Sequence, residues 1–273
     1  GTYGATAIVL NKDEIFLPSE FKAVKEPSGI TIVHHSIALP AQIYNIKKKK
    51  FIALNTYMHY SRNMYLAIKL DDNRILIFGG EGRKTLDFKP QEHIKLKSAE
   101  IYDINTNTFK QIDDTNYIHN RVNSNCLKLN DGRIFISSGD KIEIFDPNTE
   151  KFYLAGEEKQ YKQRSILDPN EEKIRKRTTI NIYNHRTALA LLKDGRVLIV
   201  GANYNGEPGN AEIYDPNTNK YTLVGEQVFP SFYRDATTLN DGRVLITGST
   251  RSYYGYSFNK KNRKNYHYIS NAE

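Results

Sequence analysis

The chain has 273 residues, room for one or two domains at about 150 residues each and for a sizeable core. Its 39% apolar content, 17 glycines and single cysteine, Cys126, exclude both wholesale disorder and a disulfide-stapled mini-protein. Lys and Arg number 39 against 31 Asp and Glu, a net charge of +8 that favours an acidic partner but argues against a nucleic-acid-binding tail; no apolar run approaches the roughly 18 to 20 residues of a membrane-spanning helix.

One pattern recurs along the chain and organises the rest. Its first half reads ATAIVLNKDEIFL at 5–17, LAIKLDDNRILIFGG at 66–80, CLKLNDGRIFISSG at 126–139, ALALLKDGRVLIVG at 188–201 and ATTLNDGRVLITG at 236–248. In each copy a leucine (Leu10, Leu70, Leu129, Leu192, Leu239) precedes by four residues the position of Glu14, Arg74, Arg133, Arg196 or Arg243. The second half reads AQIYN at 41–45, AEIYD at 99–103, IEIFD at 142–146 and AEIYD at 211–215, each followed six residues on by an aromatic: Phe51, Phe109, Phe152 and Tyr221.

Each half is a predicted hairpin. Asp131-Gly132, Asp194-Gly195 and Asp241-Gly242 lie between apolar runs, and Asp-Gly predicts a two-residue type I′ turn joining strands a and b. Asp146-Pro147-Asn148-Thr149 and Asp215-Pro216-Asn217-Thr218 predict type I turns joining strands c and d, because proline fixes φ at the second position and aspartate accepts hydrogen bonds in front of it. Strand b is an unbroken apolar run, as in Ile75–Phe78 and Val197–Val200, and so must be covered on both faces. A lone four-stranded sheet does not cover itself twice. Stacked against like sheets it does, and each buried Ile, Leu or Val then contributes roughly 1.5 to 3 kcal/mol. The Arg-type positions are 60, 59, 63 and 47 residues apart, which suits one blade of about 50 residues plus variable loops.

The run DGRVLI followed by AEIYDPNT and an aromatic resembles the kelch motif, in the form found in galactose-oxidase-like and other kelch proteins. The resemblance covers nearly the whole chain. It implies an all-β, kelch-type β-propeller of four-stranded antiparallel blades, with about four complete blades and part of a fifth. The blades are expected over 4–54, 62–112, 121–154, 186–224 and, partial, 234–273, with a charged loop insertion at 155–185. Asn271-Ala272-Glu273 repeats Asn210-Ala211-Glu212, so the last blade reads as stopping where its strand c begins. The start also reads as cut, and this chain alone is not expected to close the ring. Residues carrying the repeat are Gly79, Gly80, Gly132, Gly139, Gly195, Gly201, Gly242 and Gly248, with Tyr102, Tyr214, Phe109, Phe152 and Tyr221. The sequence departs from the family in keeping the glycine pair only at Gly79-Gly80, and in having no tryptophan.

Each repeat boundary carries an arginine ahead of strand a: Arg62, Arg121, Arg186 and Arg234. Beside them stand His59, Tyr60, His119, His185 and Tyr233. The resemblance implies that the d–a and b–c loops gather at one face, so these residues form a rim of cations and aromatic donors suited to carboxylates or acidic peptides. The competing reading is that each arginine pairs with an acid or carbonyl of the adjacent blade. Further candidates on the same face are the 155–185 insertion, the b–c segment Glu81–Lys97, and the stretch Arg251–Ser270 with Tyr253, Tyr254 and Tyr256.

Sharper chemistries fail. The Asp-rich turns lack the sixth-position glycine and twelfth-position glutamate of a calcium loop. His34 and His35 are adjacent on a predicted strand and face opposite ways. Cys126, inside a strand a, reads as a small buried hydrophobe and offers no match to the copper site of galactose oxidase. No phosphate-cradling loop, nucleophile elbow or zinc cysteine pair appears. The sequence calls for no cofactor, no metal and no catalytic residue. The favoured function is noncatalytic binding of a protein or other macromolecule through the d–a and b–c loop face, with an acidic peptide the fitting partner and a glycan an alternative one. The other class is a galactose-oxidase-like enzyme or glycan-binding domain with part of its site outside this segment. One cysteine fits the cytoplasm, whereas many bacterial kelch proteins with this repeat style are exported, so the compartment stays open.

Overall fold

The computed structural model describes residues 6–18, 21–25, 31–84, 94–121, 124–138, 141–155, 187–200, 210–226 and 235–247. All 23 described elements are strands. In chain order the first are β1 (Ile8–Asn11), β2 (Glu14–Leu17), β3 (Phe21–Lys25), β4 (Thr31–Ala38), β5 (Gln42–Asn45) and β6 (Lys50–Ala53). β1-β2-β5-β6 form one four-stranded antiparallel blade, and the β3–β4 hairpin is inserted between its second and third strands. Next come β7 (Tyr60–Asn63), β8 (Leu66–Lys69), β9 (Arg74–Phe78), β10 (Glu81–Lys84), β11 (Ile94–Lys95), β12 (Ala99–Asp103) and β13 (Thr108–Ile112). β8-β9-β12-β13 form the second blade, and β7, β10 and β11 a small separate sheet with β10 in the middle. β14 (Ser124–Lys128), β15 (Ile134–Ser138), β16 (Lys141–Asp146) and β17 (Lys151–Leu154) form the third blade. β18 (Ala188–Leu191), β19 (Val197–Val200), β20 (Asn210–Asp215) and β21 (Lys220–Glu226) form the fourth. β22 (Asp235–Thr238) pairs with β23 (Val244–Thr247) as a further hairpin.

The first strands of successive blades stand side by side: β1 next to β8, β8 next to β14, β14 next to β18, and β18 next to β22. Lys69 Nζ on β8 donates to the Leu10 carbonyl of β1, and Lys128 Nζ on β14 donates to the Leu70 carbonyl at the end of β8. The apolar core lies between blades, as the doubly covered strand b requires. Ile75 and Ile77 of β9 face Phe16 and Ala41 of the first blade, while Leu76 and Phe78 face Ile134, Ile136 and Phe145 of the third. Phe135 likewise meets Val197, Ile199 and Tyr214 of the fourth blade. Period-2 alternation therefore sends one half of each strand b into one seam and the other half into the next.

Four of the five recurring leucines make the same backbone bond. Leu70, Leu129, Leu192 and Leu239 each donate a backbone N–H to the carbonyl of the arginine four residues on, at 2.7–2.8 Å. The turn between them differs from the two-residue type I′ form expected from Asp-Gly. Gly132 N donates to Leu129 O at 3.0 Å, and only the glycine has positive φ, 90° at Gly132 and 88° at Gly195. This is a three-residue loop, a type I turn followed by a left-handed bulge glycine. The aspartate is needed for its side chain, not for positive φ, since Asp131 Oδ1 accepts the Arg133 N–H and Oδ2 accepts from Arg133 Nε. The c–d turns also run one residue longer than a simple type I turn. Glu150 N donates to Asp146 O, and Asn107, Glu150 and Asn219 take left-handed φ of 55–57°. The Tyr102 and Tyr214 hydroxyls donate to Asn107 Oδ1 and Asn219 Oδ1, tying strand c to its own turn.

Inter-blade burial makes a direct prediction. Ile77→Ala, at a position with no solvent exposure, should lower unfolding free energy by about 2 to 5 kcal/mol, whereas Val9→Ala, 64% exposed on β1, should stay within about 0.5 kcal/mol. Chemical denaturation of the two variants side by side measures both.

Candidate functional site

The antiparallel order of each blade puts the a–b and c–d turns at one end and the b–c loops and d–a crossings at the other. Backbone bonds between turns at the first end, such as Ile104 N to Asn73 O at 2.8 Å, confirm the arrangement. At the second end the centre of the geometry is a glutamate on strand c. Alternation along β12 places Glu100 on the Tyr102 face, toward the first blade, and along β16 places Glu143 on the Phe145 face, toward the second. Both side chains are fully buried.

Each carboxylate grips the chain segment that enters its blade. Glu100 accepts the backbone N–H of His59 at 2.7 Å and of Tyr60 at 3.1 Å, the His59 ring at 2.9 Å and Arg62 Nη2 at 2.8 Å. Glu143 accepts the N–H groups of Asn116 and Tyr117, Asn116 Nδ2 and His119 Nε2, each at 2.8 Å. Because an ionised carboxylate only accepts, His119 must carry its proton on Nε2. The other ring nitrogen shares a hydrogen bond with Ser124 Oγ at 3.2 Å. Arg62 uses all five of its N–H donors: Nε on Tyr60 O, Nη1 on Gly79 O and Ser98 O, Nη2 on Ser98 Oγ and Glu100.

The electrostatics follow from burial opposed by pairing. Burial pushes the Arg62 guanidinium below its ordinary value, and the Glu100 charge and hydrogen bond oppose that push. At Glu143 burial acts to raise the carboxyl, but the His119 hydrogen bond and charge, with the Asn116 N–H groups, outweigh it and hold the group below the usual carboxylate range.

The geometry changes the alignment of the expected cation rim. His119, not Arg121, occupies the place of Arg62, since each bonds the strand-c glutamate through the same oxygen that holds the second N–H of the crossing. Arg121 lies two residues further on, exposed, with its N–H donating to Met64 O at 2.7 Å. Arg62 and His119 are fully buried and bonded between neighbouring strands and crossings. His59 keeps its side chain 48% exposed while bonded to Glu100, and Tyr60 lies beside the Arg62 guanidinium, 5.7 Å from carbon to ring centroid. His185, Arg186, Tyr233 and Arg234 lie outside the described residues, as do Gly139, Gly201, Gly248 and, apart from Ala155, the 155–185 insertion.

Gly79 and Gly80 adopt φ of 66° and 85°, and a Cβ on them would stand 2.4 Å from the His119 carbonyl oxygen and 2.3 Å from that of Asn63. Only glycine lets the end of strand b pass between two crossings. The b–c segment Glu81–Lys97 contributes β10 and β11, with β10 pairing β7 across Gly82 and Arg62. Cys126 is half-buried and packs against the core between the second and third blades. Sequence reasoning missed Glu100, Glu143, Asn116 and Ser124. The available signal was a charged residue at the second position of AEIYD and IEIFD, inside an inner apolar strand.

Exposed groups at this end include Tyr57 and Ile118, Lys97 with Nζ on Asn116 O at 2.8 Å, and Lys141 with Nζ 4.8 Å from the Tyr117 ring centroid. Ser124, His119 and Glu143 have the composition of a hydrolytic triad, but Ser124 is only 1% exposed, so no substrate reaches its hydroxyl. Among the described residues no group of three or more His, Cys, Asp or Glu side chains is placed to hold a metal, and no helix is long and apolar enough to cross a membrane.

No family model and no curated protein matches the chain. Among solved structures, that of YjhT matches with a TM-score of 0.55 and 11% sequence identity, covering 90% of this chain and 76% of that one. YjhT is a β-propeller. With the stacked four-stranded sheets, the likeness establishes the class: this chain has a β-propeller fold.

Glu143→Gln should lower stability at neutral pH by about 3 kcal/mol, because it leaves buried partners of a charge without it. Since the folded-state value is depressed, the wild-type advantage is present above the ordinary value of 4.5 and disappears as pH falls through the lower folded-state value. Urea unfolding of both proteins at neutral pH and near pH 3 should show the gap closing in acid.

Proposed function

We propose that the chain is a kelch-type propeller that binds a protein or other macromolecule of acidic character, without catalysis, through the end where b–c loops and d–a crossings meet. The observation that carries this reading is the internal fixing of those crossings. Glu100 and Glu143 hold His59–Tyr60 and Asn116–Tyr117 by consecutive backbone N–H groups, so little ordering entropy remains to oppose binding at the rim they form. The same bonds commit Arg62 and His119 to the interior. Recognition then falls to groups further out: the cations Arg121, Lys97 and Lys141, exposed at the end that also exposes the His59 ring, Tyr57 and Ile118. Cations set among exposed apolar side chains fit carboxylate-bearing segments. A galactose-oxidase-like enzyme draws no support from the described residues, because the His119–Glu143 pair is enclosed and the carboxylate that His59 bonds, Glu100, is buried as well.

The test is binding of the whole chain to an array of Asp- and Glu-rich peptides. Arg121→Ala combined with Lys141→Ala should weaken the best peptide by about tenfold, equivalent to about 1.4 kcal/mol, with the thermal midpoint unchanged. Absence of acidic-peptide binding, or unchanged affinity in the double variant, contradicts the proposal.

A further inference from the structure

The seams between blades are built to one plan, yet at the turn end two of them differ in a way that exposes a groove. Between the second and third blades, Arg74 Nη1 reaches across to the Pro147 carbonyl at 3.0 Å, and Lys110 Nζ pairs with Glu150 at 2.6 Å. Strand pairing defines the equivalent positions one blade later. Lys110 lies opposite Ile101 and Tyr153 opposite Ile144, so tyrosine replaces the lysine. Glu150 and Asn219 are the left-handed residues closing successive c–d turns, so asparagine replaces the glutamate. Arg74 corresponds to Arg133 and Pro147 to Pro216. Arg133 sends Nε and Nη2 back to Asp131 Oδ2, both at 2.7 Å, and among the described residues its Nη1 has no partner.

With neither latch formed, the seam between the third and fourth blades holds a groove of about 390 Å³, within the range of small-ligand sites. The third blade contributes Tyr153, 47% exposed, beside Ile144, Arg133 and Asp146. The Tyr153 hydroxyl shares a 3.1 Å hydrogen bond with Thr149 Oγ1, which orients the ring. The fourth blade contributes Tyr214, Pro216 and Asn219.

We infer that this seam is a carbohydrate site that takes one neutral sugar ring. A pyranose has a C–H face for the tyrosine ring and hydroxyls that both donate and accept, which answers a guanidinium donor and a carboxylate acceptor placed in one groove. An anionic ligand is disfavoured because Asp131 and Asp146 together outnumber Arg133. A purely apolar ligand would cover the Arg133 Nη1 donor and the Asp146 carboxylate while offering neither a hydrogen bond. The groove lies at the turn end, opposite the rim assigned above to the macromolecular partner, so the two assignments stand or fall separately.

The experiment is ligand-observed saturation-transfer NMR of the full chain with glucose, galactose, mannose and N-acetylglucosamine, each up to about 50 mM, where a millimolar site saturates. At least one sugar should show transfer to protons of a single ring face. Tyr153→Ala should weaken it by about tenfold or more. Tyr153→Lys with Asn219→Glu transplants the latch of the neighbouring seam, and Glu150 shows that glutamate accepts the required backbone, with φ of 55°. That double variant should abolish transfer while keeping or raising the thermal midpoint. No transfer from any of these sugars to the wild-type chain, or undiminished transfer in both variants, overturns the inference.

Discussion

A carboxylate with no solvent, on the third strand of a blade, is the interaction on which the arrangement of this molecule depends. Glu100 and Glu143 each replace lost hydration with four hydrogen bonds, two of them from consecutive backbone N–H groups of the segment entering the blade. A buried ion pair contributes little to stability compared with an apolar substitute, but it tolerates few alternative geometries. Apolar seams supply the driving force for stacking. The two carboxylates fix where the crossings at 59–62 and 116–119 enter their blades.

The fold was largely legible in the sequence because its determinants are local and periodic. The unbroken apolar runs Ile75–Phe78 and Val197–Val200 mark strands covered on both faces, and the leucine-to-arginine spacing and the AEIYD run reflect contacts within one hairpin. Errors arose where the determinant was a hydrogen bond and not a periodicity. Asp-Gly suggested a two-residue turn, whereas Asp131 acts through its carboxylate and leaves positive φ to Gly132 alone. The rim was harder to read. Arg62 and Arg121 look equivalent by their spacing to strand a, but hydrogen bonding to glutamates 38 and 24 residues away aligns Arg62 with His119. The Glu in AEIYD was visible as part of a motif. Its role was not, because its partners lie on another segment whose length varies from repeat to repeat.

The two ends of the blades consequently have different chemistry. At the loop end, permanently charged Arg62 and imidazole-bearing His119 are drawn inward, and exposed lysines and Arg121 remain outside with aromatic and aliphatic neighbours. At the turn end, each arginine of the repeat folds back on the aspartate of its own turn, as at Asp131–Arg133, Asp194–Arg196 and Asp241–Arg243. These short-range pairs are solvent-exposed and add little stability. Their effect is to set where the guanidinium points, so seam-to-seam differences in strand d and the c–d turn decide whether that end is latched or open.

Native-state hydrogen exchange reads the central claim most directly, because the amides of His59, Tyr60, Asn116 and Tyr117 have carboxylate oxygens as their acceptors. If the buried glutamates fix the crossings, these four loop amides exchange as slowly as those of strands β9 and β15, through global unfolding only. Exchange at the rate of exposed turn amides while β9 and β15 remain protected would contradict the account.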